Sequence, residues 1–341
     1  MFDVAGLVGH RYRADDYYEV GREKIREYAR AVQDFHPAHW SECAAGDLGY
    51  AGLVAPTTFI SIAAMLANRK LFETVITGYD VFVQTDQVFE MYKPVLTGDR
   101  LVSDVEITSV RRIAGKDLLT ITNTFFDQTG AVVQIMHTTV VGITGDEVGA
   151  GISDAIERVV MHGINVSSRT ATSAATARTA TDPVSETGPR LSPISRTRVP
   201  RTAIRFEDIT VGDELPARIV RLTRGDLVNY AGVSGDANPI HWHDEVAALV
   251  GLPDVIAHGM LTMGLGAGFV TGWLGDPGAI TRYGVRLSNY TVVEAATVGS
   301  VEFTGRIKSV DPEARTAVVV IIAKSAGRKI FGLATADIRL A

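Results

Sequence analysis

The sequence predicts an α+β protein made of two similar units, each an antiparallel sheet wrapped around one buried helix. The first observation is an internal repeat. YARAVQDFHPAHWSEC at 28–43 returns 202 residues later as YAGVSGDANPIHWHDE at 230–245, with a tyrosine, an aspartate, a proline, a histidine and a tryptophan in register. The second observation is that each half continues with an almost wholly apolar stretch and then with strand-like runs. A helix that is apolar all round needs cover on every side, which a long sheet can give.

Length and composition set the broad class. The 341 residues allow two units of about 150 residues each, an ordinary domain size. With 46% hydrophobic residues the chain can form sizeable cores, and a net charge of -6 argues against nucleic acid as the main partner. The single cysteine, Cys43, excludes an internal disulfide and fits a reducing compartment, so we expect a cytoplasmic protein. We find no secretory signal and no run of the ~18 apolar residues that a membrane span needs.

The repeat and a change of composition predict the domain organisation. An N-terminal unit covers 1–150, a flexible linker rich in Ser, Thr, Ala, Pro and Arg covers 151–203, and a C-terminal unit covers 204–341. Two such units can join sheet edges into one continuous sheet, which covers edges that otherwise invite aggregation. We therefore expect a pseudo-dimer within the chain, and a further homodimer is compatible with the sequence.

The elements follow the same order in both halves. A helix begins near Gly21 in the first half and near Thr223 in the second, where the threonine can cap it. The repeated Asp/His stretch follows, and then the apolar helix, over 57–66 and 259–269. The strand-like runs are separated by glycine-containing or charged turns and cover 81–92, 100–110, 118–128, 131–143, 283–293, 300–310, 316–325 and 329–340.

The second half carries residues suited to proton transfer. Asp236 and His241 lie five residues apart across Asn238 and Pro239, a dipeptide that promotes a turn and can bring both side chains to one point. A carboxylate and an imidazole can move protons between a carbon acid and a leaving hydroxyl. We expect Gly259 to open the buried helix, where unpaired N–H groups favour negative charge and a missing side chain lets a thioester approach.

These residues carry a family resemblance. The stretch Tyr230–Trp242, followed by Ala257–Met260, resembles the hydratase 2 motif of the MaoC-like hot-dog family, which contains (R)-specific enoyl-thioester hydratases and (3R)-hydroxyacyl-thioester dehydratases. The second half resembles the catalytic subunit of actinobacterial (3R)-hydroxyacyl-acyl carrier protein dehydratases of type II fatty acid and mycolic acid synthesis. The first half resembles its non-catalytic partner, notably at 8–13, 20–29 and 53–59. The resemblance implies a fused heterodimer with a double hot-dog fold.

The resemblance also implies roles for residues. Asp236 and His241 would form the acid/base dyad, Asn238 would support their orientation, and the Gly259 amide would hold the thioester oxygen. Which dyad member takes the C2 proton stays open. Substrate contacts are expected from Ser234, His258 and Thr262. No cofactor and no metal are expected, and the partners are an acyl carrier protein or coenzyme A thioester, with other type II fatty acid synthase enzymes as further candidates.

The first half repeats the dyad spacing with Asp34 and His39, but two neighbours differ. His36 replaces the asparagine, and Thr57 stands where the second half has Gly259. A β-branched side chain crowds the approach of a thioester. We therefore expect one working site and a degenerate copy, in a unit that shapes the acyl channel.

Other interpretations remain. The dyad residues could be a turn aspartate and a buried core histidine. His241, His243, His258 and Asp236 could hold zinc, although their spacing matches no familiar zinc motif. The glycine-rich stretch 264–275 resembles a nucleotide loop but lies inside a helix, so close packing or room for an acyl chain explains it better.

Three functions follow. The leading one is dehydration of (3R)-hydroxyacyl thioesters on an acyl carrier protein. The second is an (R)-specific enoyl-coenzyme A hydratase of β-oxidation or polyester supply. The third is a non-catalytic acyl-thioester binding module.

Overall fold

The computed structural model describes residues 4–79, 81–143 and 198–341, together with positions 155 and 159. Most of the predicted linker, 151–203, lies outside these residues. Within the described part of the chain, no helix is long and apolar enough to cross a membrane.

Both halves have the same order of elements: one or two strands, then three helices, then further strands. The first half contains β1 (Arg11–Arg13), β2 (Tyr18–Glu19), α1 (Arg22–Ala31), α2 (Glu42–Asp47), α3 (Ser61–Lys70), β3 (Val81–Met91), β4 (Arg100–Ile113), β5 (Lys116–Phe126) and β6 (Val132–Ile143). The second half contains β7 (Glu214–Leu222), α4 (Arg224–Ser234), α5 (Asp244–Leu249), α6 (Gly259–Leu274), β8 (Ile280–Leu287), β9 (Gly299–Asp311), β10 (Thr316–Ser325), β11 (Arg328–Lys329) and β12 (Phe331–Arg339).

The two halves share one continuous sheet. Its strand order is β1-β4-β5-β6-β3-β8-β12-β10-β9-β7, with β2 paired to β4 and β11 to β10. The halves meet where β3 pairs antiparallel with β8, and Val88 lies opposite Gly284 at this junction. The helices α1 and α4 also meet across the halves, where the rings of Tyr28 and Tyr230 lie 6.2 Å apart. The predicted double hot-dog arrangement and internal pseudo-dimer are confirmed.

Local sequence explains how α4 delivers the chain to the repeated Asp/His stretch. The Thr223 hydroxyl accepts a hydrogen bond from the Asp226 amide, and the Asp226 carboxylate accepts one from the Thr223 amide, which completes a capping box. The helix ends at Gly235, whose φ of 78° is the left-handed conformation that glycine tolerates. The chain therefore turns sharply one residue before Asp236, and the predicted cap at Thr223 is confirmed.

Helix α6 is the buried helix predicted for the second half, and it begins at Gly259 as expected. Its glycines allow close packing on two sides. A Cβ at Gly264 would lie 2.5 Å from Val32 of the first half, and a Cβ at Gly266 would lie 2.7 Å from the Tyr283 hydroxyl of the sheet. Both distances are shorter than packed atoms allow, so the packing explanation of these glycines is confirmed.

The matching helix of the first half departs from the prediction. Residues 57–60 form a turn, and α3 begins only at Ser61. Its residues Met65 and Leu66 are 42% and 56% exposed, so the expectation that this helix is buried on all sides was wrong. The helix then ends in Asn68, Arg69 and Lys70 and continues as a π-helical turn.

The end of the predicted linker is packed rather than free. The Arg198 guanidinium donates to the Leu48 carbonyl at 2.6 Å and to the Asp276 carboxylate at 2.7 Å. The Arg201 amide also donates to Asp276 at 2.7 Å. Asp276 is fully buried, and a buried carboxylate needs such donors, so the linker prediction was wrong for residues 198–201.

Candidate active site

The loop after α4 brings the Asp236 carboxylate and the His241 ring together. Asn238 caps a 3-10 turn, Pro239–His241, with its side-chain oxygen accepting from the Ile240 amide at 3.3 Å. The main-chain N–H of Asn238 donates to the Asp236 carboxylate at 3.3 Å. The turn thereby folds His241 back, so that one of its ring nitrogens lies within 4.8 Å of a carboxylate oxygen of Asp236.

The tautomer of neutral His241 follows from its hydrogen bond. Its Nδ1 lies 2.8 Å from the main-chain oxygen of Ile256. A carbonyl oxygen only accepts, so Nδ1 must carry the proton and donate. Nε2 of the neutral ring is therefore a bare lone pair, the form in which a histidine can act as a base.

His258 is held in the same way from the opposite end of its ring. Its Nε2 lies 3.2 Å from the main-chain oxygen of Asp236 and must donate to it. Its Nδ1 is then an acceptor, and it is buried with no hydrogen-bond partner among the described residues. The ring stacks on His241, with centroids 3.7 Å apart and planes inclined by 27°.

These contacts bring one carboxylate and two imidazole rings together. Ligand atoms of Asp236, His241 and His258 all lie within 4.8 Å of one another. His241 and His258 are buried, whereas Asp236 is partly exposed, so solvent or a substrate can reach the cluster past the carboxylate. A hydrogen-bond donor such as water or a hydroxyl, or a metal ion that accepts lone pairs, satisfies such a cluster.

Burial keeps the histidines neutral. It lowers the pKa of His241, and the nearby Asp236 charge and the Ile256 carbonyl offset this only in part. Burial also lowers the pKa of His258, well below the ordinary value, and the neighbouring His241 lowers it further. Both rings are therefore in the basic form at neutral pH.

The remaining predicted residues surround this cluster. Gly259 directly follows His258 in the first turn of α6, where backbone N–H groups have no acceptor inside the helix. The Thr262 hydroxyl donates to the Gly259 carbonyl at 2.7 Å. The Ser234 hydroxyl accepts from the Asp236 amide at 3.2 Å. Ser234 and Thr262 therefore hold the main chain around the cluster.

The first-half copy has the same local geometry but is sealed. The His39 ring donates from Nδ1 to the main-chain oxygen of Val54 at 2.6 Å, as the His241 ring does to Ile256. Its Nε2 lies 3.3 Å from the Asp34 carboxylate. Asp34 and His39 are 2% and 0% exposed, and the Thr271 hydroxyl of α6 donates to Asp34 at 3.2 Å.

Electrostatics differ accordingly in the copy. Burial raises the pKa of Asp34, but the facing His39 and the His36 amide outweigh burial and leave the pKa below its ordinary value. His36 keeps the capping role of Asn238, because its Nδ1 accepts from the Ala38 amide at 3.2 Å. Burial also lowers the pKa of His36. Thr57 lies in the turn before α3 and not at the start of that helix.

Sequence reasoning missed two features of these sites. Thr271 contacts Asp34 across 237 residues of chain, and no local pattern marks such a contact. The unpaired Nδ1 of His258 depends on the orientation of the ring, which the sequence does not record. The repeated tyrosine was the available signal that the halves meet, since Tyr28 and Tyr230 pack against each other.

Comparison with known proteins agrees with this architecture. A family model for the FAS1-like dehydratase domain region matches residues 6–136, and a model for the MaoC-like domain matches residues 205–323. A solved structure described as a MaoC-like dehydratase is 55% identical, covers 98% of this chain and 99% of its own, and superposes with a TM-score of 0.90. The chain belongs to the MaoC-like dehydratase family.

Two further relatives fill in the picture of this MaoC-like dehydratase. A UPF0336 protein of Mycolicibacterium paratuberculosis is 41% identical over 154 residues, which are 45% of this chain and 97% of that protein. A conserved protein of Mycobacterium tuberculosis with a double hotdog fold covers 98% of this chain and 96% of its own at 14% identity and a TM-score of 0.62, which shows the shared fold. The family assigns dehydratase or hydratase chemistry, a hydro-lyase activity, and leaves the substrate open.

Proposed function

We propose that this MaoC-like dehydratase interconverts (3R)-hydroxyacyl thioesters and trans-2-enoyl thioesters at the second-half cluster. The observation that carries the proposal is that ligand atoms of Asp236, His241 and His258 lie within 4.8 Å of one another beside the first turn of α6, while each ring keeps one nitrogen free of a proton. Such a cluster suits a hydroxyl or a water, the group that leaves or adds in this reaction.

The dehydration step follows from the tautomers. Nε2 of neutral His241 takes the proton from C2, and the electrons of that C–H bond form the C2–C3 double bond. The imidazolium, stabilised by the Asp236 carboxylate, passes the same proton to the departing C3 hydroxyl, which leaves as water. Because one ring handles both positions, elimination is syn. The water can donate to Asp236 and to Nδ1 of His258.

The thioester oxygen takes up negative charge as the C2–H bond breaks. In the proposal, the Gly259 amide donates to this oxygen, and the positive end of the α6 dipole adds to the stabilisation. A Cβ at Gly259 would lie 2.6 Å from the Leu287 side chain, so the space beside this amide is already narrow. Glycine therefore lets Leu287 pack against the start of α6, beside the amide that is proposed to bind the thioester oxygen.

We assign turnover to the second half alone. Thr271 and the packed face of α6 cover the Asp34 carboxylate, which leaves a substrate no route to the Asp34–His39 pair. The first half then has two roles. It packs against α6 and extends the shared sheet, and it forms the wall of the acyl channel. On this proposal the units 1–150 and 204–341 differ in role although their folds match.

The carrier is proposed on the family resemblance of the sequence, which favours an acyl carrier protein in type II fatty acid or mycolic acid synthesis. A coenzyme A thioester of β-oxidation or polyester supply is the alternative carrier, because the chemistry at C2 and C3 is the same. We expect hydration of trans-2-enoyl thioesters to the (3R) product on both carriers, with higher kcat/KM on the carrier protein. Matched acyl chains on the two carriers test this, and an absence of hydration with both would refute the proposed reaction.

A further inference from the structure

A cavity lies between the two halves, and the described residues that line it do not include Asp236, His241 or His258. It encloses about 350 Å³, within the range of small-molecule sites. Its walls come from the turn before α3, the end of β3 and the segment after α6, and include Ala55, Phe59, Ile60, Met91 and Val95. These side chains make an apolar interior suited to an aliphatic chain.

The cavity occupies the place that corresponds to the thioester approach in the second half. Val54 bonds to a leucine in the loop after β3 by an isolated bridge, as Ile256 bonds to Val292 in the second half. Thr57, which stands where the second half has Gly259, lines the cavity. The Thr57 hydroxyl oxygen is buried with no hydrogen-bond partner among the described residues. A ligand with an acceptor oxygen would satisfy it.

The chemistry of the first half is cut off from this cavity. Neither Asp34 nor His39 belongs to the described residues that line it, and the Asp34 carboxylate already accepts a hydrogen bond from the Thr271 hydroxyl. A molecule held there would lie next to Thr57 without reaching the sealed pair. The cavity is therefore built for binding without turnover.

The opening of the cavity is cationic. Lys93, Arg198 and Arg339 line it, and no carboxylate does so among the described residues. The Asp276 carboxylate accepts from Arg198, the Asp127 carboxylate accepts from Lys93, and Arg339 donates to the main-chain oxygen of Arg198 at 3.1 Å. The Lys93 side chain is 51% exposed, so a ligand can contact it while it remains paired with Asp127. An anionic head group at the opening would meet favourable charge.

We propose that this cavity is a second, non-catalytic site for an aliphatic chain that ends in an anionic group, as in an acyl-coenzyme A or a free fatty acid anion. The inference rests on the proposed function, because acyl thioesters are the substrate class of the neighbouring site. The chain lies among Phe59, Ile60 and Val95, and the anionic group lies at Lys93 and Arg339.

Methyl-labelled methionines distinguish the two sites in one titration. Met91 lines the cavity, and Met260 follows Gly259 at the proposed active site. We expect decanoyl-coenzyme A, which is saturated and cannot be hydrated, to shift the carbon-13 methyl signals of both residues, each with its own binding curve. Decanoate tests the free anion, and coenzyme A alone tests the head group. A Met91 shift with decanoate assigns the site to fatty acid anions, and a shift with decanoyl-coenzyme A alone assigns it to thioesters.

Variants separate this inference from the proposed function. Lys93→Gln should weaken the Met91 curve about tenfold, the effect of one charge-assisted hydrogen bond, and leave the Met260 curve unchanged. Lys329→Gln, an exposed lysine on β11, is the matched control. Asp236→Asn should abolish turnover and leave the Met91 curve intact. Two results would overturn the cavity site, whatever the turnover of Asp236→Asn. One is a Met91 signal that does not shift while the Met260 signal reaches saturation. The other is a Met91 signal that shifts equally with coenzyme A that has no acyl chain.

Discussion

His258 gives the sharpest prediction about the proposed active site. Phenylalanine at this position keeps an aromatic ring to stack on His241 but removes both nitrogens. The variant loses the Nε2 donor to the Asp236 carbonyl, at 3.2 Å, and the unpaired Nδ1 acceptor. The first loss removes one hydrogen bond, worth about 0.5–1.5 kcal/mol, and a carbonyl left without its donor costs about 1–3 kcal/mol.

The magnitudes separate stability from catalysis. Loss of the bond to the Asp236 carbonyl should lower the free energy of unfolding by about 1–3 kcal/mol. Loss of the acceptor for the leaving hydroxyl should lower kcat/KM by about 10 to 100-fold, which is about 1.4–2.8 kcal/mol of transition-state stabilisation. The assay is hydration of a trans-2-enoyl-coenzyme A, followed by loss of enoyl-thioester absorbance, with denaturant unfolding measured in parallel. Unchanged kcat/KM in a folded His258→Phe protein would refute the hydroxyl-binding role.

Three further predictions concern pH, the sealed copy and metals. The pKa values of His241 and His258 are lowered from 6.5, so the two rings become protonated only below pH 6.5. We therefore expect kcat/KM to be constant down to pH 6.5 and to fall at more acid pH. A fall centred above pH 6.5 would contradict this. Thr271→Val keeps the shape but removes the donor to Asp34, so unfolding free energy should fall by about 1–3 kcal/mol with turnover unchanged, and lost turnover would place Asp34 in the chemistry. Dialysis against a chelator should leave hydration unchanged, whereas loss that zinc restores would show that the cluster binds a metal.

The same pKa shifts predict how stability depends on pH. A histidine whose pKa is lowered by folding binds more protons in the unfolded chain, so the folded state gains stability above the unfolded pKa and loses it as pH falls through about 6.5. His258 should contribute more than His241, because its pKa is lowered further. This loss accompanies the fall in activity, and measuring both on the same samples separates protonation of the site from unfolding.

Much of the fold was predictable because its signals are local. The cap at Thr223, the start of α6 at Gly259 and the strands β3 to β6 follow from residues next to one another. The strands β1, β2 and β7 and the helices α2 and α5 were missed. Each is short or mostly exposed, so hydrophobic periodicity is weak there. The run predicted at 283–293 ends as a strand at Leu287.

Contacts between distant residues account for what the sequence could not predict about the site. The spacing of Asp236, Asn238 and His241 predicted a turn that brings the dyad together. The sequence could not predict that Thr271 covers Asp34, nor that Met65 and Leu66 remain exposed, because both depend on how α6 and α3 pack across the halves. The differences at His36 and Thr57 predicted one working site and a degenerate copy, and packing adds that Asp34 and His39 are both buried.

Turnover of two matched variants tests the central claim most directly. Asp236→Asn and Asp34→Asn each change one carboxylate to an amide at equivalent positions of the repeat. On trans-2-enoyl thioesters we expect Asp236→Asn to lose at least ~100-fold in kcat, because the His241 imidazolium loses the carboxylate that stabilises it, and Asp34→Asn to keep nearly the wild-type rate. The reverse result, with Asp34→Asn inactive and Asp236→Asn active while both remain folded, would contradict the account.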